Sequence, residues 1–396
     1  MDTSVEETRP AKKNRADLWF LVLCAAFLLL FGSWIFIKQA SSFSEEENRS
    51  LQTFPQWRVE TWLDGSFTKE MNLFYSDQFP LRSLFLKIHA TTEIGAGRQE
   101  NNQVLLGKNG TLITRLEYSS EDYSHVLSNL EYLEALQKAL QGENIPMTLA
   151  ITPRAIDIEQ EALPATYSYT RASRIWNLLD SGAVDYVSFT ESLQKAYREG
   201  GNVWFRTDHH WTVEGAYLAY CRLSSSLGYT PREHDAFEYR VLSDSFFGTA
   251  YSKSGLYFVS PDELGVMRYP DDTSFRVEIR QGAAVKTIDG FYAEEFLATK
   301  DKYAVFLSGN YAEMHITKEP EEVRPTLLLV KDSFANALIP FLAIHYDLVV
   351  VDPRYSVQST YRLALEESVD RVLVLYNADS LVTDSLQSLL LGLPKS

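Results

Sequence analysis

Two short segments concentrate side chains that can do covalent chemistry. In "FRTDHHWT" (residues 205–212), Asp208, His209, His210 and Trp211 place an acid, two imidazoles and an indole side by side. The second segment, Lys331-Asp332-Ser333-Phe334, directly follows the apolar run "TLLLV" and precedes a stretch with Ala335, Ala337 and Leu338. Serine becomes a nucleophile when a base takes its hydroxyl proton and a carboxylate holds that base in the right tautomer. Asp208 and His210, at i and i+2, supply both from one loop if its backbone turns them toward each other; only Ser333 must then come from elsewhere. A serine on a strand-to-helix turn also has its N–H at a helix N-terminus, where an oxyanion is stabilised. Serine is equally a preferred N-cap residue, so the local pattern alone fits a plain cap as well.

The same letters suit a metal site, because carboxylate and imidazole ligate zinc, iron or manganese. A closed site needs three or four ligands, however, and His89, His125, His234, His315 and His345 are scattered without a second cluster. Neither a metal nor another cofactor is therefore expected. His209 and Trp211 read better as a structural hydrogen-bonder and a core residue, with Trp211 kept as a candidate substrate contact. Arg154, in "ITPR", is a further candidate, since a cation there could orient an anionic sugar; a surface arginine is the plain alternative.

Functional groups of open parallel sheets gather outside the carboxyl ends of the strands, and the chain alternates patterns in the way that builds such a sheet. Val126, Leu127, Leu130, Leu133 and Leu140 recur at helical spacing and stop at Gly142, a favoured cap, before the strand-like "MTLAITP". Later, "TLLLV" (326–330), "DLVVVD" (347–352) and "RVLVLY" (371–376) are separated by helical stretches near 334 and 360, and a final helix follows. This predicts a doubly wound, mainly parallel α/β layer flanked by helices. After the acid–imidazole segment, Val213, Ala216, Tyr217, Tyr220, Leu223 and Leu227 line one face of a helix that Gly228 ends. Between about residues 229 and 303 the pattern turns to alternating, turn-punctuated pieces such as "SFRVEIRQ", which predicts a β-rich insertion forming one wall of a cleft.

Residues 18–37 carry no charge, and at ~1.5 Å per residue they cover the roughly 30 Å of a bilayer core. Trp19 and Trp34 lie near the ends as interfacial aromatics do. Arg9, Lys12, Lys13 and Arg15 precede the run and Glu45, Glu46 and Glu47 follow it, which predicts an N-terminus inside. The run exceeds a signal-peptide h-region of roughly 7 to 15 residues and lacks a small-x-small cleavage site, so a retained anchor is expected. The organisation expected is a cytoplasmic tail (1–17), one transmembrane helix (18–37), an entry segment packed on the domain (38–115) and an extracellular α/β domain (116–396). With 396 residues, 45% of them hydrophobic, the chain can bury a large core, and a formal net charge of -16 argues against nucleic acid as a partner. Of its two cysteines, Cys24 lies inside the apolar run, so a disulfide or metal site with Cys221 is not expected.

Asp208-His209-His210-Trp211 resembles the name-giving motif of the DHHW family, relatives of the alginate O-acetylation proteins with an SGNH-hydrolase-like domain. The resemblance extends through "ENRSLQTFP", "DQFPLRSLFLK", "VLLGKNGTLI", "VWFRTDHHWTVEGAY" and "KDSFANALIPFLA", in this order. It implies an SGNH-hydrolase-like fold and a triad of Asp208, His210 and Ser333, with His210 rather than His209 as base. It also implies acetyl transfer to an extracellular polysaccharide, commonly with a membrane-bound acyltransferase that exports the acetyl group. Two departures stand out. Lys331 occupies the place of the small residue often found before the Asp-Ser of such enzymes, and no Gly-x-Asn-Asp block is visible, although Gly309 and Asn310 after the strand-like "YAVFL" could supply an oxyanion donor. The reading is an extracytoplasmic, serine-dependent O-acetyltransferase. An esterase with the same triad differs only in admitting water to the acyl-enzyme. A non-catalytic glycan-binding or assembly component would instead use some of the 22 tyrosines, 22 phenylalanines and 7 tryptophans as stacking surfaces, though such residues mostly fill cores.

Overall fold

The computed structural model describes residues 15–37, 39–44, 46–47, 49–116, 118–169, 174–282, 284–320 and 323–394. They fall into two compact units that divide between His89 and Ala90. Most of the expected cytoplasmic tail, with Arg9, Lys12 and Lys13, lies outside the described residues, as does Glu45.

In the first unit, the apolar run folds as helix α1 (Arg15–Ile37), with Leu18, Trp19, Phe20, Leu28, Leu29, Leu30 and Trp34 exposed. Among the described residues no helix is long and apolar enough to cross a membrane. The segment after α1 is folded by its own polar letters. Asp77 pairs with Arg49 at 2.7 Å and accepts the Gln52 N–H at 2.8 Å, while Arg82 reaches Glu47 at 2.8 Å. Gln78, 4% exposed, accepts the Ser41 N–H and donates to the carbonyls of Ser41 and Gln52. Glu47 and Arg49 of "ENRSLQTFP" and Asp77 and Arg82 of "DQFPLRSLFLK" are thus one another's partners.

The second unit is built on an eight-stranded sheet. In chain order its strands are β1 (Met147–Thr152), β2 (Tyr186–Ser188), β3 (Phe275–Gln281), β4 (Ala284–Asp289), β5 (Glu313–Lys318), β6 (Thr326–Lys331), β7 (Asp347–Val351) and β8 (Arg371–Asn377). Their spatial order is β4-β3-β5-β7-β6-β8-β1-β2; the strands from β7 to β2 run parallel, and β5, β3 and β4 extend the sheet antiparallel. The apolar runs of the parallel strands are continuous because both faces are covered. Leu327 and Leu329 of β6 enter one core cluster and Leu328 and Val330 the other, the period-two alternation of a strand. Helix α2 (Ser120–Gly142) covers the second face through Val126, Leu130, Leu133, Leu136 and Leu140. Helix α3 (Val213–Leu227) covers the first through Val213, Ala216, Tyr220, Leu223 and Leu227. A capping box of Ser119 and Asp122 starts α2, and the left-handed residue past its end is Asn144 rather than Gly142. Thr212 caps α3, which ends at left-handed Gly228.

Two sequence expectations change. "SFRVEIRQ" does form a strand, β3, but it joins β4 and β5 in the main sheet, which is therefore mixed; among the described residues of 229–303, Glu238–Phe246 paired with Asp262–Arg268 stands as a separate ribbon. "YAVFL" is a 3-10 turn, Lys302–Val305, and not a strand; Leu307, Ser308 and Gly309 after it are all left-handed, with φ of 59°, 62° and 110°. Its apolar residues are buried, and burial alone does not tell a strand from a tight turn in so short a run.

Candidate active site

β6 lies between β7 and β8, so its carboxyl end opens at the middle of the parallel strands, where such folds place their chemistry. Ser333 begins the five-residue 3-10 helix Ser333–Ala337 directly past that end. The cap is Asp332, not Ser333: Asp332 Oδ1 accepts the Phe334 N–H at 3.0 Å, and its Oδ2 accepts the Asn377 N–H at the end of β8 at 2.7 Å. One buried carboxylate thereby ties two strand ends together and leaves the Ser333 hydroxyl free of capping. The helical stretch expected here is a 3-10 turn, Ser333–Ala337, followed by the five-residue α-helix Ile339–Ala343, so the individual N–H groups of the turn matter more to oxyanion binding than a helix dipole does.

The loop bearing Asp208 is anchored from below. Buried Asp262 accepts the N–H of Arg206 at 3.2 Å and both the N–H and hydroxyl of Thr207, at 2.7 and 2.6 Å. Trp211, fully buried, donates its indole N–H to the Phe334 carbonyl at 3.0 Å, which links this loop to the serine turn. His210 then stands with Nε2 2.8 Å from Ser333 Oγ and Nδ1 2.6 Å from Asp208 Oδ1. The spacing works because Asp208 Oδ1 also accepts the backbone N–H of His210 at 2.9 Å, the local ring that aspartate closes with the residue two positions on. Thr249 donates both its N–H and its hydroxyl to Asp208 Oδ2, at 2.6 and 2.9 Å. Gly248 makes that approach possible, since a Cβ there would lie 2.2 Å from the Asp208 side chain.

Burial pushes the Asp208 carboxyl up, but the charges of His209 and His210 and these donors outweigh it and hold the carboxyl well below the usual range. His210 is 5% exposed and stacks on Tyr303, with ring centroids 4.0 Å apart and planes 9° from parallel. His209 turns its Nδ1 to the Thr249 hydroxyl, and burial together with neighbouring His210 lowers its pKa. Ligand atoms of Asp208, His209 and His210 do lie within 4.8 Å of one another. Both ring nitrogens of His210 face protein groups, however, in the arrangement that proton transfer from a serine requires.

Other sequence candidates are placed differently. Arg154 is 5% exposed and grips Asp157 through Nε at 2.8 Å and Nη2 at 2.7 Å, so its charge is engaged inside the protein rather than offered to an anionic sugar. Trp211 has no exposed face for a sugar. Gly309 and Asn310 lie beside the serine turn: Asn336, three residues past Ser333, donates to the Gly309 carbonyl at 3.4 Å and to Asn310 Oδ1 at 3.2 Å. Sequence reasoning misses Gly248, Thr249, Asp262, Tyr303 and Asn336. Each is remote along the chain from the residue it touches or carries no reactive group, and the one available signal is the Gly-Thr pair at a turn.

A family model described as "SGNH hydrolase-like domain, acetyltransferase AlgX" matches residues 104–305, about half of the chain and a span that ends before Ser333. The probable alginate O-acetylase AlgJ of Pseudomonas syringae pv. tomato is 24% identical over 214 residues, 52% of this chain and 51% of that protein. The chain spans about half the length of the curated relatives it matches. Among solved structures, a DHHW family protein from Eubacterium siraeum superposes with a TM-score of 0.59 at 18% identity, covering 73% of this chain and 95% of that one. Bacillus cereus PatB1, in a structure with a sulfonyl adduct, gives 0.59 at 21% identity, covering 70% and 95%. These likenesses show a shared fold.

Proposed function

The chain belongs to the family of SGNH hydrolase-like domains described by the acetyltransferase AlgX, and from that premise we propose that it is a serine-dependent O-acetyltransferase acting on a polysaccharide outside the cell. The observation that carries the reading is the unbroken relay from Ser333 Oγ to His210 Nε2 at 2.8 Å and from His210 Nδ1 to Asp208 Oδ1 at 2.6 Å. His210 takes the Ser333 proton as Oγ attacks the carbonyl carbon of an acetyl donor. The oxyanion that forms is met by the Ser333 N–H and the Asn310 amide, and His210 returns the proton to the leaving group. Acetyl-Ser333 then yields its acetyl group to a sugar hydroxyl, whose proton passes to His210 and on to Ser333 Oγ. Asp208 holds Nδ1 protonated throughout, so that Nε2 is the basic nitrogen.

The polysaccharide is supported by relatives named as probable alginate O-acetylases. The exposed apolar helix α1 supports a single-pass anchor, with the SGNH-like domain held on the outer face beside a membrane-bound acyltransferase that delivers the acetyl group. Incubation with an activated acetyl ester followed by mass spectrometry tests the reading. An acetyl adduct on Ser333 that Ser333→Ala and His210→Ala both abolish is expected. Acetate release without any acetylated oligosaccharide would make the protein an esterase, and no adduct with no turnover would remove the chemistry altogether.

A further inference from the structure

Lys331 is fully buried, at the end of β6 and two residues before Ser333. A lysine there has to be explained, because an ammonium removed from water is costly unless its protons are taken, and an apolar residue of similar volume avoids that cost. Two of its protons go to asparagine side chains: Nζ lies 2.7 Å from Asn310 Oδ1 and 2.6 Å from Asn336 Oδ1. Asp352, at 3.9 Å and itself gripped by Arg354 at 2.6 Å, is the nearest carboxylate. Burial pushes the lysine's pKa down to about 8, with Asp352 opposing; two amide oxygens and a carboxylate around Nζ are the surroundings of an ammonium.

The chemistry of these partners fixes their orientation. An ammonium only donates, so the amide oxygens of both asparagines must face it, and their NH2 groups must point away. Asn336 uses its NH2 on the Gly309 carbonyl and on Asn310 Oδ1. No acceptor among the described residues takes the NH2 of Asn310, which is only half-buried. Asn336 sits one turn past Ser333 in a 3-10 helix, where side chains at i and i+3 eclipse, so the Asn310 amide is presented next to the serine turn. The loop that carries it passes through the left-handed residues Leu307, Ser308 and Gly309, a conformation that has to be held by its surroundings.

We infer that Lys331 is a positioning residue, which locks the Asn310 amide with its N–H groups toward the acyl oxyanion and pins the 307–310 loop beside Ser333. The inference rests on Ser333 being the nucleophile. It also gives a reason for a bulky, buried lysine at the carboxyl end of β6: it holds the 307–310 loop from the end of a central strand.

Full-length protein in detergent, assayed with 4-nitrophenyl acetate, tests it through five variants. Lys331→Met and Asn310→Ala should each lower kcat by about 10²–10³, the loss of one oxyanion donor, with KM little changed. Lys331→Met/Asn310→Ala should be no slower than either single variant, because the lysine acts only through the asparagine. Should Lys331→Met fail to fold, Asn310→Asp decides: its carboxylate keeps the lysine paired, so melting temperature is held or raised, but it has no proton to donate and turnover falls as far as in Asn310→Ala. Wild-type turnover in Lys331→Met or Asn310→Asp, or losses that multiply in the double variant, would overturn the inference. Ser333→Ala separates the two levels: full turnover without the serine hydroxyl sinks the nucleophile reading itself, whereas loss in Ser333→Ala with wild-type rates in Lys331→Met sinks only the role of the lysine.

Discussion

Asp208 receives four donated hydrogen bonds on one buried carboxylate, two from His210 and two from Thr249. Its pKa is depressed in the folded protein and near 3.9 when unfolded, so the unfolded chain binds the extra proton first as pH falls. The stabilisation is therefore complete above about pH 5 and falls progressively as pH drops below about 4 toward the depressed folded value. Asp208→Asn keeps an acceptor for the Nδ1 proton but loses the charge and favours the wrong tautomer, so acyl transfer should drop by about 10⁴-fold. Urea midpoints from pH 3 to pH 7 should show wild type losing its advantage over the variant at the acid end; a constant gap across that range would mean that the charge does not stabilise the fold. Asp208, His210 and Ser333 stand out in the sequence as candidates by side-chain type, and the family resemblance, not the local letters, selects His210 over His209 and the nucleophile over a plain cap. Thr249, Lys331 and Asn336 do not stand out in this way, since a threonine donor or a buried ammonium acquires meaning only from a neighbour that the fold supplies.

Strands and helices show the same division. The parallel strands β6, β7 and β8 are visible as unbroken apolar runs because burial on both faces removes the need for polar residues. β3 alternates buried and more exposed residues along its length, and nothing local in an alternating run says which sheet it will join. The helix Thr249–Ser254 was hidden for the same reason, yet it completes the site by bringing its first N–H to Asp208. Gly248 is the element's point of contact: its φ of -85° is open to any residue, so the demand is for space alone. Gly248→Ala would drive a methyl to within 2.2 Å of Asp208 and force the helix or the carboxylate to move. Overpacking of this kind costs about 1–3 kcal/mol. Thermal unfolding should register that loss, and ester turnover should fall by at least about tenfold because the relay depends on Asp208 geometry. Full activity at a lowered melting temperature would show that the helix yields and the relay does not.

At the scale of the whole molecule, the described site residues lie between Arg154 and Asn377, all within the second unit, whereas α1 belongs to the first. The proposed chemistry and the proposed anchor thus lie in different parts of the chain, and they should separate under substitution. If α1 serves to hold the domain beside a membrane-bound acetyl donor, its contribution is effective concentration, which needs no contact with the site. Replacing residues 1–40 by a cleavable secretion signal should then release a protein that turns over 4-nitrophenyl acetate within about twofold of the full chain but no longer acetylates polysaccharide in cells. Replacing the same residues by an unrelated single membrane span should restore acetylation, because any tether supplies proximity. Failure of that restoration would mean that α1 contacts a partner through its own exposed side chains, such as Leu18, Phe20, Leu28 and Leu29. Loss of ester turnover in the released form would mean instead that the N-terminal segment supports the site, and undiminished acetylation would show that the donor reaches the serine without a shared membrane.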